Sequence, residues 1–115
     1  MLAFELHEVI AKAEESGKAH HEFLRVPDLS LGLYRLPAGG TDPQRPHTED
    51  EVYYVVSGRG RIMVGAEDRL VMGGSAVYVA RGVEHKFHAI DEDLTLLVFF
   101  APAEHSRAAD REVND

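Results

Sequence analysis

The chain has 115 residues, of which 44% are hydrophobic and 28% charged, with a formal net charge of −8. That length supports one domain with a single core, and the lack of any cysteine excludes disulfides, thiolate metal sites and cysteine nucleophiles. An acidic balance with no basic stripe argues against nucleic acid as a partner, and no apolar run approaches the ~20 residues that span a membrane.

Residues 1–20 read as an N-terminal helical segment. Leu6, Val9, Ile10 and Ala13 follow the i, i+3, i+4, i+7 spacing of an amphipathic helix, and Gly17 stands where a left-handed residue would end it. The acids in this stretch and its lack of a sustained apolar run are unlike a secretory signal, which predicts a cytoplasmic location. From residue 21 the period changes. "EFLRV" and "LSLGLYRL" read as strands, and "PAGGTDPQRP" follows as a Pro/Gly-rich loop.

Six further strand-like runs come next: "EVYYVVS", "GRIMV", "DRLVM", "AVYV", "HKFHAI" and "LTLLVFF". Breaks are expected at Ser57-Gly58, Gly65-Ala66, Gly73-Gly74, Arg81-Gly82 and Asp91-Glu92-Asp93. Short strands at about ten-residue intervals, without βαβ alternation or repeats, predict an all-β sandwich or barrel. It would occupy residues 21–101, leaving 102–115 as a polar C-terminal tail that frays. "EVYYVVS" and "LTLLVFF" are apolar on both faces, so something must cover the second face. The opposite sheet, the N-terminal segment or another subunit would serve, and a homodimer is expected. Tyr34, Tyr53, Tyr78, Met63 and Met72 read as core residues.

The chemistry concentrates in "PHTEDEVYYVVSGRG", residues 46–60, where a histidine and three acids precede an apolar run. His47 and Glu51, four apart, share a face if the stretch is extended. Taken alone, the pair reads as a solvated loop ahead of a buried strand. His85 opens "HKFHAI" and adds a second imidazole, and imidazole with carboxylate suits a divalent transition metal such as Fe, Mn, Ni or Zn. His88, three residues on, falls on the opposite face. His20 and His21 read as exposed residues at a strand end.

These stretches resemble the cupin family. Its first motif reads G-x5-H-x-H-x3,4-E-x6-G, and "HTEDEVYYVVSG" supplies His47, Glu51 and Gly58 in that spacing. Its second reads G-x5-P-x-G-x2-H-x3-N, and "GSAVYVARGVEHKFHA" matches at Gly74, Gly82 and His85. The resemblance spans about residues 30 to 100 and implies a double-stranded β-helix, or jelly-roll barrel, behind a short N-terminal helix. There are departures. The family's first metal histidine is Arg45, its motif proline is Ala80, its terminal asparagine is Ala89, and the usual acid after Gly74 is Ser75.

Carried over residue by residue, the family site is His47, Glu51 and His85, holding one divalent transition metal. Two histidines and one carboxylate are the set that leaves open positions in non-haem Fe(II) oxygenases; with Zn, water completes the site. The resemblance therefore implies a metal-binding single-domain cupin, with dioxygenase-like chemistry on a small metabolite as the leading form. The alternative is a non-catalytic module that binds or senses a small ligand, with or without the metal. Arg45, Glu49 and Tyr53 are candidate ligand-binding residues. Arg45 either faces inward, pairing with Glu49 or Glu51 or gripping a carboxylate ligand, or points to solvent from its Pro-bracketed loop. Glu49, Tyr53 and His88 are the candidate general acids or bases.

Overall fold

The computed structural model describes residues 1–43 and 46–106. One helix, α1 (Leu6–Ser16), precedes six strands: β1 (His20–Val26), β2 (Leu29–Leu36), β3 (Asp50–Val64), β4 (Glu67–Met72), β5 (Ala76–Val79) and β6 (His85–Ala101). All pairings are antiparallel, in the order β1-β2-β6-β3-β4, with β5 paired to the first half of β3. The fold is a double-stranded β-helix.

Two expected breaks are bends inside continuous strands. Ser57-Gly58 lies within β3 and Asp91-Glu92-Asp93 within β6, and these strands pair from Asp50↔Ala101 to Val64↔His85. The register shifts around Ser57 and Arg59. Gly58 sits there at φ 96°, and a Cβ on it would lie 2.1 Å from the Asp93 carbonyl oxygen. The glycine thus marks a β-bulge, which kinks a strand and raises its twist, rather than a turn that ends one. Bending both long strands at one level is what curls the sheet into a barrel.

Along β6, Leu94, Leu96, Val98 and Phe100 point inward and join Tyr34, Leu36, Tyr53, Val55, Ile62, Phe87 and Ile90 in the core. The helix buries Val9 and Ala13 on Leu33, beside Ile10, Phe23 and Leu97. Gly17 ends it in the left-handed conformation, φ 68°, and the Arg35 guanidinium donates to the Ala13 carbonyl at 3.0 Å. A cation there meets the negative end of the helix dipole.

The helix therefore covers the outer face of β2 and its neighbour Leu97, but that face continues uncovered. Val52 and Tyr54 on β3 are 37% and 41% exposed, and Tyr78, opposite Val52 on β5, is 61% exposed. Two expectations about the core fail accordingly. Tyr34 and Tyr53 are buried, but Tyr78 and Met72 lie on outer faces and Met63 is only half-buried. No described helix is long and apolar enough to cross a membrane.

Candidate functional site

The acids of "HTEDE" go three ways. Glu49 is buried, accepts the Thr48 hydroxyl, and takes the backbone N–H of His105 at 2.7 Å. Asp50 accepts the Arg81 N–H at 3.0 Å. Glu51, 1% exposed, points into the barrel. Because Glu51 pairs with Val79 at the end of β5, only the turn 80–84 separates that level from His85. Gly82 (φ 76°) shapes this turn, and its N–H bonds the His47 carbonyl at 2.7 Å. One clasp thus holds the loop of His47 and the turn before His85 at the same barrel end. Ligand atoms of His47, Glu51 and His85 lie within 4.8 Å of one another.

The hydrogen bonds define which atoms face the centre. His85 Nδ1 lies 2.9 Å from the Val83 carbonyl, and a carbonyl can only accept, so this assigns the proton to Nδ1 and leaves the Nε2 lone pair inward. Nε2 is 3.0 Å from Glu51 Oε1 and 3.1 Å from the Tyr53 hydroxyl. Burial, then the charge of Glu51 and its contact, pushes the Tyr53 phenol far up, so it stays protonated. Yet neither Glu51 oxygen receives a well-directed hydrogen bond. A buried anion and an imidazole lone pair share a single phenolic proton. The centre is short of positive charge.

A proton or a metal cation would fill that deficit. Burial pulls His85 down, but its contact with Glu51, the Val83 hydrogen bond and the charges of Glu51 and Asp42 outweigh it, leaving the imidazole above its usual value. His47 goes the other way. Burial lowers it, and the attraction of Glu51 does not offset burial plus repulsion from His85 and His105. Two neutral-capable imidazoles and a carboxylate without a firm partner fit a divalent transition metal.

A cavity of about 240 Å³ opens onto this centre, lined by His47, Glu51, His20, Tyr34, Pro43, Val98, Phe100 and Glu104. Six of these residues were not read from the sequence as parts of the site. Tyr34 donates to Asp42 at 2.6 Å, while the other Asp42 oxygen takes the Phe87 N–H at 2.9 Å and so fastens the loop before His47 to β6. His20, expected at an exposed strand end, instead leans across Gly32, whose absent Cβ would lie 2.3 Å from its Nε2. Phe100 meets the His47 ring edge-on at 4.7 Å. Glu104 comes from the segment expected to fray. Strand pairing of His20 with Tyr34 was the one signal that placed His20 near the site; nothing local marked Glu104.

Tyr53 is wholly buried beneath the centre rather than on the cavity wall. His88 lies outside it, 3.0 Å from Asp68. Arg45 is outside the described residues, as are residues 107–115 of the tail.

Comparison with known proteins agrees with this fold. The cupin domain model matches residues 32–100. The chain is a cupin. A Streptomyces coelicolor protein described as uncharacterized is 54% identical over 104 residues, covering 90% of this cupin and 99% of that protein. Among solved structures, TT1209 of Thermus thermophilus is 26% identical with a TM-score of 0.75, covering 90% of this chain and 99% of that one. A Methanocaldococcus jannaschii cupin with a double-stranded β-helix fold is 17% identical with a TM-score of 0.69, over 79% and 84% of the two chains. The last likeness speaks to fold alone.

Proposed function

We propose that this cupin holds one divalent transition metal through His47, Glu51 and His85 and uses it to bind a small molecule in the adjoining cavity. The carrying observation is the buried Glu51 carboxylate, 3.0 Å from an imidazole lone pair and without a well-directed hydrogen bond on either oxygen. A buried carboxylate whose hydrogen bonds are poorly directed is costly, and a bound cation removes that cost. Three protein ligands leave coordination positions for water or substrate, and the cavity of about 240 Å³ limits the occupant to a small metabolite.

With Fe(II), this ligand set supplies the open positions that oxygenase chemistry needs, so a dioxygenase-like enzyme is the leading form of the proposal. Within it, Tyr53 keeps its proton and stays next to Glu51 and His85, while Phe100, Val98 and Pro43 make an apolar wall that limits water. The second reading is a binding or sensing module. It is favoured by Glu49 and His88, two of the three candidate acids or bases, being engaged away from the cavity. The uncovered row Val52, Tyr54 and Tyr78 supports a homodimer through that face.

Elemental analysis of untagged protein tests the metal. About one divalent transition metal per chain is expected, falling to a trace in His85→Ala. Retained stoichiometry in that variant removes His85 from the site.

A further inference from the structure

The segment after β6 is not left loose. Ala103 is buried and its N–H reaches the Pro27 carbonyl at 3.3 Å. The Glu104 N–H bonds Ser30 Oγ at 2.9 Å, the Arg25 guanidinium bonds the Glu104 carbonyl at 2.7 Å, and the His105 N–H bonds Glu49 at 2.7 Å. Ser30 and Glu49 are buried polar side chains, and both are used to hold this backbone. So many anchors on five residues place one side chain with little freedom. That side chain is Glu104, on the cavity wall.

Its carboxylate lies among three histidines. Oε1 is 3.9 Å from His20 Nδ1, and Oε2 is 3.7 Å from His47 Nδ1 and 3.5 Å from His105 Nε2. His20 is seated over Gly32, where any Cβ would displace it. The two metal-facing imidazoles thus have matching arrangements. His85 turns Nδ1 to the Val83 carbonyl, and His47 turns Nδ1 to Glu104. A ligating histidine needs its other N–H held, because that fixes both ring orientation and tautomer.

We infer that Glu104, delivered by the strap Pro102–Ser106, is a positioning residue for His47: its carboxylate holds the Nδ1–H and so keeps the lone pair on Nε2, toward the metal. The inference deepens the metal reading and rests on it. At 3.7 Å the contact is longer than a hydrogen bond, and a small turn of the His47 ring closes it, with or without the metal. His20 buttresses the opposite oxygen and keeps the carboxylate from turning out to solvent. Glu104 acts through His47, without itself touching the metal.

Imidazole tautomers and metal affinity test this together, on the full chain. In metal-free protein labelled with 15N-histidine, at a pH where the rings are neutral, two-bond correlation spectra should show the proton of His47 on Nδ1. Glu104→Ala should lose that preference. Glu104→Gln should keep it, since its amide oxygen accepts the same bond. Zn(II) competition titration should find affinity lowered about 10- to 100-fold in Glu104→Ala, the usual cost of removing such a partner, and only a few-fold in Glu104→Gln. An unchanged tautomer and unchanged affinity in Glu104→Ala overturn the inference. So does a Gln variant as weak as Ala, which would mean that the charge ligates directly. A wild type that takes up no Zn(II) yet shows the Glu104-dependent tautomer overturns the metal reading while upholding the orientation.

Discussion

Replacing Glu51 with glutamine should make the metal-free protein more stable at alkaline pH and less stable at acidic pH. Glu51 is 1% exposed, and neither carboxylate oxygen has a well-directed hydrogen bond. A glutamine has the same shape, can accept the Tyr53 proton, and can donate N–H to the His85 Nε2 lone pair 3.0 Å away. It removes a buried charge and adds the missing donor. Leaving such a group unsatisfied costs ~1–3 kcal/mol, so a gain of ~1–2 kcal/mol is expected when His85 is neutral. For a domain of this size that corresponds to a rise in Tm of roughly 4–8 °C.

The sign reverses with His85. Its folded-state pKa lies above the ordinary 6.5. The stabilisation it draws from Glu51 is therefore complete below about 6.5 and fades as pH rises through the folded value. Below that window, wild type has an ion pair that the glutamine variant lacks, and the variant should melt lower. The assay is thermal unfolding followed by circular dichroism in excess chelator at about pH 5.5 and 8.5. A variant less stable than wild type at both pH values would refute the claim that Glu51 is poorly satisfied without a cation.

Gly58→Ala should cost more than ~2 kcal/mol, because the left-handed backbone is strained for alanine and its Cβ would lie 2.1 Å from the Asp93 oxygen; urea unfolding with little loss would place the bulge elsewhere. Light scattering at micromolar concentration should give about twice the 12.8 kDa chain mass, and Tyr54→Lys should halve it by charging the uncovered face. A wild type at the monomer mass excludes that interface. Metal affinity should fall as pH is lowered, approaching tenfold per unit where one imidazole must lose a proton. The raised His85 makes this fall begin above 6.5; an affinity flat to pH 6 would remove His85 as a ligand.

The fold and the grouping of the candidate ligands were legible for one reason: motif spacing encodes where the strands turn. "HTEDEVYYVVSG" carries two candidate ligands and the bulge glycine within twelve residues, and Gly82 with His85 closes the same barrel end. The spacing did not show that Gly58 bends a strand instead of ending it, because a positive-φ glycine serves both purposes. Tyr78 and Met72 read as core because apolar residues at strand spacing do not say which face is covered. His20 and Glu104 were illegible for a different reason. They reach the cavity through pairing of β1 with β2 and through backbone bonds to Ser30, Glu49 and Arg25. Such long-range contacts leave no pattern in the residues beside them. The same contacts give Glu49, read as a ligand-binding candidate, its place under the strap.

Zinc-soaked crystals, measured for anomalous scattering at the zinc edge, test the central claim most directly. The account predicts one peak per chain, ~2.0–2.2 Å from a nitrogen of His47, a nitrogen of His85 and an oxygen of Glu51, with Glu104 beside His47 Nδ1 and away from the ion. A peak bound elsewhere, or none at this centre in crystals that take up zinc, would contradict it.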